Sequence, residues 1–136
     1  MNRLTAISAT LALSAALASH TATANEDYFK DSRYYNAPAI TTNFNTLDGK
    51  KVGFAKVEYF VAGHSKKDMK KISTYLPEIR GMVVSAIYSA EKNKIATLEG
   101  RDQLASQLKL AIDDLIQRET GEQLLEDFAF KFFLHT

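Results

Sequence analysis

Few residues in this chain of 136 are of the types that perform chemistry, and those present are not grouped. The histidines are His20, His64 and His135, and the sequence has no cysteine. None of these histidines has a second histidine or a carboxylate at the spacing with which a helix presents two metal ligands. We therefore expect no metal and no cofactor. The lack of cysteine also excludes disulfides and thiolate nucleophiles.

Acid–base, nucleophilic and phosphate chemistry are not predicted either. Asp113 and Asp114 are adjacent, so on a helix their side chains point about 100° apart, whereas general acid–base catalysis needs carboxylates that converge. The serines lack the glycine-flanked setting of a nucleophile elbow, and no glycine-rich phosphate loop precedes a helix. The sequence therefore predicts a protein that is not an enzyme and that acts by binding.

One run of charge is a candidate contact surface, formed by Lys66, Lys67, Lys70 and Lys71. One interpretation is an exposed face of a helix that begins near Lys66. The other is contact with an acidic partner or with anionic lipid headgroups at the inner membrane, where each cation adds about 1 kcal/mol. The whole chain has 17 basic and 16 acidic residues without a basic block, so nucleic acid is excluded as the main partner.

Phe133 is the second candidate contact residue. Alternate residues of the predicted terminal strand share one face: Phe128, Phe130, Phe132 and Leu134. Phe133 falls on the other face of that strand. It therefore either covers a second face of the core or is an exposed anchor for a partner.

Three segments are predicted to be strands. Ile40, Thr42 and Phe44 alternate with polar residues, which indicates the first strand, and Asp48 with Gly49 forms the turn after it. The other two are residues 52–62 and residues 128–135.

Two helices are predicted between the second and the last strand. The first begins at Ser65, a suitable N-cap, and its apolar stripe keeps its phase past Pro77, where the helix either bends or restarts. A polar connector at residues 91–94 follows, and the second helix runs from Thr97 to Gly121. The apolar stripe of this second helix is Leu104, Leu108, Ala111, Ile112 and Leu115.

The expected fold class is therefore α+β, in the order strand, strand, helix, helix, strand. Such an order favours a small antiparallel or mixed sheet with both main helices packed on one face. Residues 25–36 are polar and show neither a helical nor a strand period, so they are interpreted as a leader. The folded domain is predicted to be residues 37–136.

The first 24 residues have a different composition, with eight of the 18 alanines and none of the 14 aromatic residues. Arg3, an apolar run at residues 4–18 and a small-residue triplet ending at Ala24 have the layout of a secretory signal. Cleavage is predicted between Ala24 and Asn25, and a second candidate site follows residue 18. The alternative is a retained anchor, but a membrane span needs about 20 apolar residues.

Four segments, in their order and spacing, resemble the FliL family of flagellar basal body-associated proteins. They are residues 54–61 (FAKVEYFV), 76–80 (LPEIR), 97–104 (TLEGRDQL) and 127–130 (DFAF). The resemblance covers about residues 35–135. The positions that match the signature of the family are Pro77, Arg80, Gly100, Leu104, Phe128 and Phe130, and the resemblance implies structural roles for them.

The resemblance implies a non-enzymatic periplasmic protein of the flagellar basal body, with a fold similar to stomatin-type domains. Such a protein forms homo-oligomers around the motor stator and supports motility and swarming. Typical members carry a transmembrane helix where this chain has the predicted signal, so membrane anchoring is an open point. The alternative is a soluble periplasmic binding module without a motor role, which holds a ligand between the helices and the sheet.

The signal interpretation predicts the N-terminus of the exported protein. Edman sequencing of the protein recovered from a periplasmic fraction is expected to begin at Asn25, because signal peptidase cleaves after small residues at the end of the apolar segment. A start at Ser19 would identify the second candidate site. A start at Met1 in the membrane fraction would contradict the signal and favour the anchor.

Overall fold

The computed structural model describes residues 32–45 and 52–135. Its sheet has four strands, β1 (Tyr34–Asn36), β2 (Ile40–Asn45), β3 (Val52–Gly63) and β4 (Leu125–His135). Every pairing is antiparallel, and β3 is central because β4 pairs with one of its edges while β1 and β2 pair with the other. Residues 37–39 separate β1 from β2, and in this gap the Ala37 N–H donates to the Tyr59 carbonyl at 2.9 Å. The strands β1 and β2 therefore act as one interrupted edge.

The helices are α1 (Lys66–Ile72), α2 (Leu76–Ser89), α3 (Lys92–Ala96) and α4 (Leu98–Thr120), with a 3-10 turn at Ser73–Tyr75 before α2. They cover one face of the sheet, with α2 over β2 and α4 over β4. On that face the alternate residues of β3 are buried: Ala55, Val57, Tyr59 and Val61. The predicted α+β class, with an antiparallel sheet and helices on one face, is confirmed.

The helix boundaries follow from local signals that the sequence carries. Ser65 caps α1, since its Oγ accepts from the Asp68 N–H at 3.1 Å, and Thr97 caps α4 in the same way through the Gly100 N–H at 3.0 Å. Pro77 lies in the first turn of α2, so the helix restarts there rather than bending. Gly121 ends α4 in the left-handed conformation, at φ 72°. These predicted boundaries are confirmed.

Three local predictions are wrong. β1 lies within the segment interpreted as a leader, because a strand of three residues is too short to show a period, and the fold therefore begins before residue 37. The connector predicted at residues 91–94 overlaps α3, which buries Ile95. Ala111 is exposed, and Ile116 is buried on the core side of α4 instead.

The predicted turn at residues 48–49 and the predicted cleavage site at residues 24–25 lie outside the described residues.

The pairing of β3 with β4 skips residue 131, because Glu58 is opposite Phe132 while Tyr59 is opposite Phe130. Such a β-bulge changes the side-chain phase of the strand. Phe133 therefore lies on the same face as Phe130, next to the helices, and Leu134 lies on the outer face with 53% of its surface exposed. The predicted alternation of the terminal strand, which placed Leu134 with Phe130 and put Phe133 opposite them, is wrong beyond the bulge.

Gly53 allows a close contact between β2 and β3. It lies opposite Phe44, whose side chain is buried over it, and a Cβ at position 53 would come within 2.6 Å of Cε1 of the Phe44 ring. Carbon atoms in van der Waals contact lie about 3.5–4.0 Å apart. Any side chain at position 53 therefore displaces Phe44 from the core.

Two glycine substitutions test this packing. Gly53→Ala is expected to lower the free energy of unfolding by about 1–3 kcal/mol, the usual cost of overpacking. Gly81→Ala is the matched control, because Gly81 lies in α2 with no atom within 4 Å of an added Cβ. This control substitution is expected to raise the free energy of unfolding by about 0.5–1 kcal/mol, because alanine has a higher helix propensity than glycine. Urea denaturation measures both, and equal effects of the two substitutions would contradict the Phe44 contact.

Candidate interaction surfaces

The structure keeps apart the residues that could perform chemistry. His64 follows the end of β3, whereas His135 pairs with Ala55 near the beginning of that strand. Asp114 forms an ion pair with Arg118 at 3.6 Å and does not converge with its neighbour Asp113 on a shared site. Across residues 32–45 and 52–135, no three or more histidines and carboxylates come close enough to hold a metal ion.

Tyr59 is the buried titratable side chain of the core. Its ring lies 5.4 Å from that of Phe128, and only 1% of its surface is exposed. The pKa of Tyr59 is raised from 10.0 to about 12, chiefly by burial and also by the nearby Tyr35, while the charge of Arg80 acts in the opposite direction. Arg80 is thus close enough to the core to act on it, although its own side chain is exposed.

The four lysines of the charge run lie on α1, and all are exposed. Lys71 is paired with Glu122, its Nζ donating to Oε2 at 2.8 Å. This hydrogen bond raises the pKa of Lys71 and lowers that of Glu122. Lys70 and Lys71 occupy the last turn of the helix, where the macrodipole favours cations. Part of the run therefore has a structural role, and contact with a partner or membrane through the other lysines stays a prediction.

The six family-signature positions fall into three pairs. Pro77 and Arg80 are exposed on the first turns of α2, and Gly100 and Leu104 are buried one turn apart on α4. Phe128 and Phe130 line the core side of β4, with ring centroids 5.6 Å apart. One pair thus lies near the beginning of α2, one near the beginning of α4 and one on β4.

Phe133 is half-buried and extends the aromatic contacts of β4. Its ring meets that of Phe130 edge to face, with centroids 5.2 Å apart. The guanidinium of Arg101, from α4, lies 5.4 Å from the centroid of the Phe133 ring. A cation–π contact of this kind contributes about 0.5–1 kcal/mol at an exposed site. The bulge places Phe133 on the same face of β4 as Phe130, so it does not cover a second face of the core, and its use as an anchor for a partner stays a prediction.

Two surface grooves are visible only in the folded chain. The α2–α4 groove has a volume of about 640 Å³, and its walls include Gly81, Met82, Ser85, Leu108 and Ala111. The α4–β4 groove has a volume of about 240 Å³ and runs between the first half of α4 and β4. Its helix wall is Leu98, Arg101, Asp102 and Ala105, and its strand wall is Ala129, Phe130, Lys131 and Phe133. The periodicity of the sequence predicts neither groove, because each groove lies between elements that are distant in sequence.

The model of the family described as flagellar basal body-associated protein FliL matches residues 34–134. No curated protein matches the chain. Among the described residues, no helix has the length and apolar character needed to cross a membrane. The match begins at the first residue of β1 and ends one residue before the end of β4, so it coincides with the described fold.

The pKa of Tyr59 predicts loss of stability at alkaline pH. The folded state holds the hydroxyl proton of Tyr59 up to about pH 12, while the unfolded chain releases it near pH 10.0. The contribution of this neutral hydroxyl to the free energy of unfolding is therefore complete below pH 10 and is lost as the pH rises to 12. The loss is about 2–3 kcal/mol in the free energy of unfolding. Between pH 8 and 12, the free energy of unfolding of Tyr59→Phe, measured by denaturation, is expected to fall by about 2–3 kcal/mol less than that of the unmodified chain. Parallel curves would contradict it.

Proposed function

We propose a specific role for this chain, which belongs to the FliL family of flagellar basal body-associated proteins. It is a non-enzymatic accessory protein of the flagellar basal body that associates with proteins near the motor stator and so supports motility. The observation that carries the proposal is the family match over residues 34–134, which covers nearly all of the described fold.

The surface chemistry supports action by association. The titratable groups of the described residues are dispersed, whereas apolar side chains remain exposed on the helices, among them Leu98 at 69% and Leu110 at 71%. Exposed apolar groups beside grooves are typical of protein contacts. The α2–α4 and α4–β4 grooves therefore offer surfaces for a basal-body protein or a second copy of this chain.

The placement that we propose is the periplasm, at the inner membrane beside the basal body. The support is the signal-like composition of residues 1–24 together with family membership. Self-association and peripheral contact of Lys66, Lys67 and Lys70 with anionic headgroups belong to the same proposal. These three lysines are exposed on one short helix.

The alternative, a module that holds a small ligand between helices and sheet, has less support from the packing. In that layer the side chains of Phe44, Met69, Ile79 and Ile112 are almost completely buried among one another. The two grooves described above open on the outside of the helices and at the side of the sheet. They suit a protein surface better than an enclosed ligand.

Gene deletion tests the proposed function. A clean deletion is expected to reduce the swimming radius in soft agar and the swarming radius on a surface, and a plasmid copy is expected to restore both. A fluorescent fusion is expected to form foci at flagellar bases. Because an accessory role lies in the motor rather than in filament assembly, flagella counted by electron microscopy should be unchanged in number. Unaltered motility with a diffuse fusion would contradict the proposal.

A further inference from the structure

We propose that the α4–β4 groove binds an extended segment of a partner protein, with alternating acidic and apolar residues, as an added strand on the free edge of β4. Four features of the part of the chain that the structure describes carry the proposal: a strand edge without a neighbouring strand there, an aromatic wall, a gap between helix and strand, and positive charge. The proposal rests on the proposed function only in that the partner protein is taken to belong to the basal body.

The first feature is the edge of β4. Within residues 32–45 and 52–135, β4 pairs only with β3, so its other edge has no strand partner, and the Phe128 N–H donates to Oδ1 of Asp127 at 2.9 Å. Such an edge is the template on which strand-adding domains bind extended peptides. The ladder with β3 skips residues 126 and 131 but is regular over residues 127–130. An added strand would pair along this regular stretch.

The aromatic wall is a product of the bulge. Strict alternation would place Phe130 and Phe133 on opposite faces of β4, whereas the skipped Lys131 brings both rings into the groove. Their planes are nearly perpendicular, at 89°. Bulges often re-aim side chains at sheet edges in this way. The apolar side chains of an added strand would contact this pair.

The gap exists because the walls of the groove have short side chains at its centre. Ala105 lies on the helix wall and Ala129 on the strand wall, and both are half-buried. Arg101, one turn before Ala105, lies along the same wall, with its guanidinium over the Phe133 ring and donating to the Ile95 carbonyl at 3.4 Å. A larger residue at position 105 would close the gap.

The charge of the groove favours carboxylates. Arg101 and Lys131 outnumber Asp102, and the N-terminus of the 23-residue helix α4 adds its positive end. One turn beyond Ala105, Lys109 of α4 already binds the Asp127 carboxylate of β4 at 3.6 Å. A carboxylate of an added strand would reach Arg101 as Asp127 reaches Lys109. A second copy of β4 fits less well, because it would bring another Lys131 toward these cations.

Binding of a defined probe to the purified full chain tests the proposal. The probe is a fluorescein-labelled octapeptide of alternating valine and glutamate, and the control is its valine–lysine counterpart. Fluorescence anisotropy at low salt is expected to show at least tenfold tighter binding of the acidic peptide. Amide shifts in ¹⁵N NMR should be confined to β4 and the first half of α4.

Matched variants assign the effect to the groove. Ala105→Leu is expected to abolish binding, whereas Ala111→Leu, the same change at an exposed position of α4 that lines the α2–α4 groove instead, should leave it unchanged. Arg101→Gln should weaken binding at least fivefold, and Arg118→Gln, a control on the last turn of the same helix, should not. Thermal melting establishes that each variant folds.

Each contrary result overturns the proposal. Equal affinity for the two peptides would remove the charge argument, and no binding at millimolar peptide or NMR shifts in the α2–α4 groove would remove the site. Concentration-dependent dimers abolished by Ala105→Leu would identify a second copy as the occupant instead. A motility defect on gene deletion without peptide binding would leave the proposed function standing while the groove proposal fails.

Discussion

The architecture of this domain depends on the pairing of β3 along both of its edges. With backbone partners on either side, β3 can bury one face completely, and four consecutive inward side chains from Ala55 to Val61 do so. A buried face of this kind needs an apolar cover, which α2 and α4 provide over β2 and β4. Because the chain has no cysteine, the fold depends on this packing without support from disulfides. The helix starts at Ser65 and Thr97 set where that cover begins.

The same pairing explains the aromatic side chains of the last strand. One skipped residue lets β4 place Phe128, Phe130 and Phe133 on the core side, where their rings meet in sequence at 5.6 and 5.2 Å. Arg101 of α4 closes this series over Phe133. The bulge therefore links the core, the helix and the free strand edge, and the candidate site lies where these three meet.

The sequence predicted those parts of the fold that depend on local chemistry. Caps at Ser65 and Thr97 and the glycine end of α4 each need only a few neighbouring residues and were predicted, and the restart at Pro77 was one of two alternatives that the sequence left open. The bulge at Lys131 is a property of the pairing between β3 and β4, so the sequence of β4 taken by itself predicts strict alternation. The α4–β4 groove needs helix and strand together, and short elements such as β1 and α3 carry too few residues for a period. Family-signature positions were recognisable, Phe130 of the groove among them, whereas nothing in the sequence indicates that the helix wall and the strand wall of the groove lie together.

Pro38, exposed between β1 and β2, distinguishes the two outer edges of the sheet. A proline has no N–H to donate, and the break at residues 37–39 prevents that side from offering a continuous ladder. Domains whose two outer strands are both continuous can join end to end without limit, as fibres do. Among the described residues β4 presents the longer outer edge, of 11 residues, whereas the opposite edge is divided into the three residues of β1 and the six of β2. Strand pairing that joined domains through both edges would therefore meet a short, interrupted ladder on one side.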